Sequence, residues 1–384
     1  MANSASPTSA QLPVFDVSLW RTQFESPAEL KQEAVRWDDA MRSKGFAHLI
    51  NHGLDEDYEI LYGIAKTFFA KSDVEKMKYF LGADHGSFEG YVPPGGMSQS
   101  ASADGEQCAV GKRPADAVES VESYNPDCSA WPPELQAAAK VVWRKLEELC
   151  TEVLRLSALA LSMDPDYLCA VYAGDLTVDS RRIEQSAADN ANPLMRCFRA
   201  ARYLPIGAEG REKGQLRYGE HTDYTGLAFL WRNQSNGLQC RPSDTDRYDV
   251  GAWLGVPVPT RHPHALVVNL GDLWEMWTNG RWKSNVHRVV DVAPSDGSGL
   301  DPDYEHSISI VLFTGPRVQS EMMPLRGMMK GGDEQRFPTI TAGSHCGSKV
   351  RNLLEIKKSN LAGLSEVGVE ASESDSRKRK LGGH

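Results

Sequence analysis

Two histidines and one aspartate have the residue types and the spacing to hold a metal ion. His221 and Asp223 lie two positions apart in the segment GEHTD, and His287 follows in NVHRVV. Side chains of a strand alternate between its faces, so His221 and Asp223 are expected to project side by side. His287, on another strand, is the candidate for the third ligand. Two histidines and a carboxylate with open coordination positions suit non-heme Fe(II) and oxygen chemistry.

Context separates these residues from the other histidines. A lone His-x-Asp pair is common by chance, but of the ten histidines only His221 and His287 fall in predicted strands with a suitable carboxylate and turn residues nearby. The remaining histidines in identifiable contexts are expected to lie on the surface, or in the core with a hydrogen-bond partner. They are His48, His52, His262, His264, His345 and His384.

Periodicity predicts helices first and strands later. A serine, a proline and a glutamate at 26, 27 and 29 predict a helix start with a capping box, and further helices are predicted over 55–70 and from 133 to about 163. Short strands separated by Gly, Pro, Asn and Asp turns predict a double-sheet antiparallel barrel of the jelly-roll kind. The predicted strands are 197–203, 227–231, 265–270, 286–290 and 307–313. Asn279-Gly280 between two tryptophans predicts a hairpin.

Residues 82–131 are rich in Gly, Ser, Pro and acidic residues and have little periodicity. A stretch of this length inside a compact domain is typical of a lid or a binding segment. Tyr91 within it is expected either to contact a substrate or to pack on the barrel rim.

Composition limits the partners and the location. The net charge of −10 disfavours nucleic acid as a partner, and seven cysteines without framework spacing favour a reducing compartment. No apolar run reaches the roughly 18 residues of a membrane span, and the first ten residues do not resemble a signal peptide. We therefore expect a cytoplasmic monomer that binds a small molecule and neither nucleic acid nor membrane. Residues 1–10 and 359–384 are expected to be disordered, and Lys357 and Lys358 are assigned to that polar tail.

A set of motifs resembles one known family. GEHTDY at 219–224, GLQ at 237–239, VNLGD at 268–272 and WTNGRWKSNVHRV at 277–289 are similar in order and spacing to the core of the isopenicillin N synthase-like, 2-oxoglutarate- and Fe(II)-dependent oxygenases. LPVFD at 12–16 and GFAHLINHG at 45–53 are similar to its N-terminal strands. The resemblance covers residues 11–356.

The resemblance implies an α+β fold in one domain over 11–356. A helical N-terminal part, 11–190, would pack on a double-stranded β-helix (jelly-roll) core, 194–320. It also implies that His221, Asp223 and His287 bind Fe(II), with 2-oxoglutarate and O₂ as co-substrates. The implied reaction oxidises an unactivated C–H bond of a small molecule of secondary metabolism, giving hydroxylation, desaturation or cyclisation.

The co-substrate residues depart from the family pattern. Family members carry Arg-x-Ser where this chain has Ser307 and Ser309, and the arginine binds the distal carboxylate of 2-oxoglutarate. Tyr203 matches a tyrosine that helps bind that carboxylate, whereas Ala201 replaces the usual asparagine. A buried carboxylate without a cation is costly. The candidates for a substitute cation are Arg202, Arg217, Arg288, His306 and Arg317.

Two alternatives remain open from the sequence. One is an isopenicillin-N-synthase-like oxidase that does not use 2-oxoglutarate, in which Tyr203 and Ser309 hold the carboxylate of a substrate that supplies all the electrons. The other is a non-catalytic barrel that binds a ligand.

The substrate pocket is expected to be apolar or aromatic, and the candidate lining residues are Tyr224, Phe229, Trp231 and Trp274.

Overall fold

Two facing β-sheets form the centre of the protein in a computed structural model. The structure describes residues 11–23, 27–99, 114–127, 130–173, 194–233, 237–241, 253–291 and 307–381, with the backbone alone at 22–23, 27–29, 208 and 363–381. Within these ranges the larger sheet has eight strands and the smaller has four. All the pairings are antiparallel except that of the first two strands. This is the double-sheet jelly roll on an α+β chain that the sequence predicts.

The strands of each sheet are given in their order across it. The larger sheet comprises β1 (Val14–Asp16), β2 (Phe46–Ile50), β10 (Leu266–Leu270), β7 (Leu227–Arg232), β12 (Ser307–Arg317), β5 (Leu194–Tyr203), β4 (Val118–Ser123) and β3 (Gly90–Val92). The smaller sheet comprises β6 (Tyr218–His221), β11 (His287–Val289), β8 (Leu238–Cys240) and β9 (Leu254–Gly255). A separate pair joins β13 (Glu321–Met322) to β14 (Ile340–Thr341).

The structure describes nine α-helices, several of which pack on the larger sheet. They are α1 (Val17–Gln23), α2 (Pro27–Ser43), α3 (Asp55–Phe69), α4 (Asp73–Lys76), α5 (Pro133–Ala160), α6 (Tyr167–Ala173), α7 (Ala208–Glu212), α8 (Asp272–Trp277) and α9 (Ala342–Leu381). The apolar residues of α5 recur at helical spacing and are buried, so this helix packs one face on the sheet and on α2 and α3. None of the described helices is both long and apolar enough to cross a membrane.

Alternation along the strands gives the larger sheet two different faces. In β7, Leu227, Phe229 and Trp231 belong to the main hydrophobic core beneath the helices. Ala228 and Arg232 point the other way, into a cavity between the two sheets. The same division holds along β5 and β12. The sheet therefore serves as the core on one side and as the wall of a site on the other.

One local prediction is wrong. Asn279 and Gly280 have positive φ angles of 50° and 80°, but they follow helix α8 and join no hairpin of described strands. The segment DLWEMW before them forms helix α8. The Asn-Gly signal alone does not tell whether a helix or a strand precedes it. The 82–131 segment contains β3 and β4, and every residue of β4 is buried although its sequence is VESVES. Residues 100–113 and the predicted capping side chains at 26–29 lie outside what the structure describes.

The chain beyond residue 356 differs from the expected disordered tail. The side chain of Asn360 donates a hydrogen bond to the Gly95 carbonyl at 2.9 Å, and Leu361 is buried. The backbone of α9 is helical as far as Leu381. The polar composition hid this packing, because a single buried leucine gives no periodic pattern.

Candidate metal centre and adjoining cavities

Two strands of the smaller sheet bring the predicted metal ligands together. His221 ends β6 and lies directly opposite His287, the first residue of β11. Directly paired residues of antiparallel strands present their side chains on the same face. Asp223 follows in the turn after β6, and its carboxylate is 6% exposed. One candidate ligand atom from each of the three residues lies within 4.8 Å of the other two.

The Asp223 carboxylate lies close enough to each of the two imidazoles to share one ion with it. Oδ1 of Asp223 lies 3.6 Å from Nε2 of His221 and 3.8 Å from Nε2 of His287. Two ligand atoms that each lie about 2.1 Å from one ion can be at most about 4.2 Å apart. Both separations satisfy this limit. Two imidazoles and one carboxylate are the donor set that Fe(II) oxygenases use, with the opposite side of the ion left open.

Backbone carbonyls orient both imidazoles. Nδ1 of His221 lies 2.8 Å from the Gly219 carbonyl, and Nδ1 of His287 lies 3.1 Å from the Asn285 carbonyl. Because a carbonyl can only accept, these contacts assign the proton to Nδ1 and leave the Nε2 lone pair for a metal. Burial, reinforced by the proximity of the His287 imidazole, holds the pKa of His221 well below its usual value, so this imidazole is neutral.

An asparagine orients the carboxylate. The side-chain amide of Asn269 on β10 donates to Oδ2 of Asp223 at 2.5 Å and leaves Oδ1 facing the histidines. The backbone N–H of Asp272 donates to the Asp223 carbonyl at 2.8 Å and fixes the same turn. Sequence reasoning quoted VNLGD as a family motif but gave Asn269 no role.

An inner cavity extends from the metal ligands between the sheets. The three predicted co-substrate residues, Tyr203, Ser307 and Ser309, all line it. Ser307 pairs with Tyr203 across β12 and β5, and the Tyr203 hydroxyl lies 3.0 Å from Oγ of Ser309. The structure therefore brings these hydroxyls to one wall.

The predicted substitute cations do not line this cavity where the structure describes them. Arg202 pairs with Glu119 at 3.2 Å, and Arg217 pairs with Asp291 at 3.2 Å. Arg288 pairs with Glu220 at 3.0 Å, and Arg317 donates a hydrogen bond to the Ala173 carbonyl at 2.5 Å. His306 lies outside the described residues. The arginines that do line the inner cavity are Arg199 and Arg232.

An outer cavity of about 300 Å³ adjoins the other side of the metal ligands. It shares His221 and Asp223 with the inner cavity, and apolar side chains such as Phe88 and Met97 form much of its wall. Tyr224 lines it as predicted, whereas the other three proposed lining residues are core residues: Phe229, Trp231 and Trp274. Tyr91, expected to contact a substrate or to pack on the barrel rim, lies in the core and donates to Glu119 at 2.5 Å.

Helix α9 closes one side of the outer cavity. Cys346, Val350 and Leu353 line it at positions i, i+4 and i+7, one face of a helix. Sequence reasoning did not assign this helix to the site. The apolar spacing was the available signal, but the surrounding polar residues concealed it.

A hydrogen-bonded group of polar side chains also lines the outer cavity. Nε of Arg199 lies 2.8 Å from Oε1 of Glu122, and Nη1 donates to the Tyr218 hydroxyl at 2.8 Å. Gln99 donates to the same hydroxyl at 3.2 Å and accepts from the Tyr224 hydroxyl at 2.6 Å. A mainly apolar cavity with a few fixed polar groups is typical of a small-molecule site.

Comparison with known proteins agrees with this geometry. Residues 195–316 match the model of the 2OG-Fe(II) oxygenase superfamily, and residues 12–134 match that of the non-haem dioxygenase in morphine synthesis N-terminal region. Together the two matches cover well over half of the chain.

Relatives extend over most of the chain. It is 27% identical over 318 residues to the 2-oxoglutarate-Fe(II) type oxidoreductase ppzD of Metarhizium rileyi, covering 79% of this chain and 81% of the relative. It is 27% identical over 347 residues to the 2-oxoglutarate-dependent dioxygenase citB of Monascus ruber, covering 88% and 94%. The crystal structure of a full-length Neurospora crassa protein in complex with alpha-KG superposes with a TM-score of 0.67 at 22% identity, covering 89% of this chain and 95% of that protein. That likeness supports the fold.

Proposed function

The chain belongs to the 2OG-Fe(II) oxygenase superfamily, and we propose that it holds Fe(II) with His221, Asp223 and His287 to oxidise a C–H bond of a small molecule. The enzyme is an Fe(II)/2-oxoglutarate-dependent dioxygenase. The observation that supports the assignment of the ligands is the approach of all three donor atoms to within 4.8 Å of one another.

The residues of the chain have distinct tasks in this proposal. Bound Fe(II), with 2-oxoglutarate and O₂, supplies the oxidising power that removes hydrogen from an unactivated C–H bond. The carbonyls of Gly219 and Asn285 and the amide of Asn269 hold the ligands in one geometry before the metal binds. The inner cavity, with Tyr203, Ser307 and Ser309, receives 2-oxoglutarate. The protein thus positions the reactants and excludes water.

The outer cavity receives the molecule that is oxidised. It borders His221 and Asp223, so a ligand there lies beside the metal. Its apolar and aromatic walls favour an apolar or aromatic molecule, and the fixed wall of Gln99, Tyr218 and Arg199 favours a polar group at one end. Hydroxylation, desaturation and cyclisation all begin with removal of hydrogen, and the fit of the molecule in this cavity selects among them.

The composition supports a proposal for the location, the oligomeric state and the partners of the enzyme. We propose a cytoplasmic monomer that acts without nucleic acid or a membrane surface, as its net charge of −10 favours. Light scattering during size-exclusion chromatography should give the mass of one chain.

Succinate formation tests the function. The Fe(II)-loaded protein, given 2-oxoglutarate, O₂ and a panel of small aromatic metabolites, should release succinate and CO₂ in step with O₂ uptake. The rates of His221→Ala and Asp223→Ala should fall at least about a hundredfold, because each substitution removes a metal ligand. Mutating even the hydrogen-bond partners of metal ligands typically costs about 10–100-fold. Asn360→Ala, which alters an exposed hydrogen bond on α9, should keep the native rate.

The outcome also separates the alternatives. Oxygen uptake without succinate would favour an oxidase whose substrate supplies all the electrons. No oxygen uptake across the panel, with iron bound, would favour a non-catalytic binding barrel.

A further inference from the structure

The inner cavity contains one arginine suited to bind an anion deep between the sheets. Of the two arginines that line the described part of this cavity, Arg199 lies at the boundary with the outer cavity. Its guanidinium is held by Glu122 at 2.8 Å and by the Tyr218 hydroxyl. Arg232 lines the inner cavity but not the outer one and is 8% exposed. Arg232 therefore belongs to the inner compartment, and Arg199 to the boundary between the two.

Strand register places Arg232 beside the predicted co-substrate residues. Arg232 on β7 is directly opposite Ser309 on β12, so both side chains project from the same face. Oγ of Ser309 lies 3.0 Å from the Tyr203 hydroxyl. One guanidinium and two hydroxyls thus share one wall, and all three can donate hydrogen bonds to a carboxylate.

This wall lies at the opposite end of the strands from the metal ligands. Asn269, which binds Asp223, pairs with Ala228 of β7. Arg232 lies four residues further along β7, roughly 13 Å away at about 3.3 Å per residue. An elongated ligand that contacts a metal at one end would therefore extend toward Arg232 at the other.

The environment keeps the guanidinium positively charged and fixed in orientation. Burial lowers the pKa of Arg232 to about 10, so the side chain remains protonated at neutral pH. Its Nη2 donates to the Val256 carbonyl, which fixes one edge of the guanidinium. Burial and the charge of Arg232 lower the pKa of His48 to about 4, so the neighbouring histidine adds no second charge. A carboxylate brought to this end of the cavity would meet an oriented cation.

We propose that Arg232 binds the distal carboxylate of 2-oxoglutarate, together with the hydroxyls of Ser309 and Tyr203. The inference rests on the proposed function. The family pattern places this arginine at the position that Ser307 occupies here, on β12. In this protein the cation comes instead from the neighbouring strand β7, and a guanidinium can form two parallel hydrogen bonds with a carboxylate.

Two ligands that differ at one end provide the test. 2-Oxoglutarate and 2-oxopentanoate share the keto acid that chelates a metal, but 2-oxopentanoate has a methyl group in place of the distal carboxylate. Their dissociation constants are measured by calorimetry on the Fe(II)-loaded protein without oxygen. The native protein should prefer 2-oxoglutarate by on the order of a hundredfold, since losing one partner of a buried charge pair costs about 2–5 kcal/mol and each 1.4 kcal/mol is tenfold.

Arg232→Gln should abolish that preference by weakening the binding of 2-oxoglutarate while leaving the binding of 2-oxopentanoate unchanged. Arg202→Gln is the matched control, because it removes a guanidinium from the same sheet on the face away from the cavity; it should keep the preference. If Arg232→Gln does not fold, Arg232→Lys is used instead. It should lose most of the preference for 2-oxoglutarate, because lysine lacks the planar guanidinium that forms two parallel hydrogen bonds. A preference for 2-oxoglutarate that survives the substitution of Arg232 would overturn the inference. Native protein that holds iron but binds neither keto acid would contradict the proposed function itself, and the inference with it.

Discussion

Single hydrogen bonds prepare the metal site. Each ligand of the candidate centre has one fixed partner, from Gly219, Asn285 or Asn269, that turns its free lone pair toward the same point. The residue types and spacing of His221, Asp223 and His287 were enough to predict the cluster that the structure brings together. Asn269 could not be predicted in its role, because only the pairing of distant strands brings it to Asp223.

The same distinction explains why Arg232 escaped the sequence analysis. The predicted strand ends at 231, one residue before the strand of the structure, and so does not include Arg232. Its alternation with Ala228 and Leu230 was a readable signal for the cavity face. Its pairing with Ser309 was not readable, since register between strands nearly eighty residues apart is set by the folded sheet.

Removing the partner of the carboxylate should weaken metal binding. Asn269→Ala deletes the donor to Oδ2 of Asp223 and frees the carboxylate to rotate, so we expect Fe(II) affinity to fall about 10–100-fold. Competition with a chromogenic chelator under anaerobic conditions measures it. Asn360→Ala serves as the control for loss of an asparagine donor remote from the metal. Native affinity in Asn269→Ala would show that Asp223 needs no such support.

Helix α9 is the element that sequence reasoning misjudged most. It supplies Val350 and Leu353 to the outer cavity, and Lys357 anchors it to the segment that carries Phe88. Nζ of Lys357 is buried and donates to the Ser87 carbonyl at 2.8 Å and to the His85 carbonyl at 3.4 Å. A lysine in a polar stretch predicted exposure, and only the fold reveals the carbonyls that it meets.

Two adjacent lysines give a matched test of this anchor. Lys357→Met leaves two carbonyls without their donor, so we expect the free energy of unfolding to fall by about 1–3 kcal/mol. Lys358→Met removes only an exposed ion pair with Asp84 and should leave stability unchanged. Urea denaturation measures both, and limited proteolysis should cut α9 faster in Lys357→Met. Equal behaviour of the two variants would mean that α9 is not anchored there.

At the scale of the whole molecule, the chain uses one sheet for two purposes. Its outer face packs the helices into the core, and its inner face, with the smaller sheet, encloses the site. The sequence predicted this architecture well, because short alternating strands and amphipathic helices have distinct periods and the family motifs keep their order. It predicted the cavities poorly. Their walls combine residues from β5, β7, β12 and α9, whose contacts depend on the folded arrangement rather than on local pattern.

The central claim is that this molecule binds Fe(II) and 2-oxoglutarate together at His221, Asp223 and His287. Anaerobic titration of the Fe(II)-loaded protein with 2-oxoglutarate tests it most directly, by the weak visible charge-transfer band of the chelate. We predict a band that saturates in the native protein and is absent from His221→Ala, which lacks one ligand. No band at millimolar 2-oxoglutarate, with iron shown to be bound to the native protein, would contradict it.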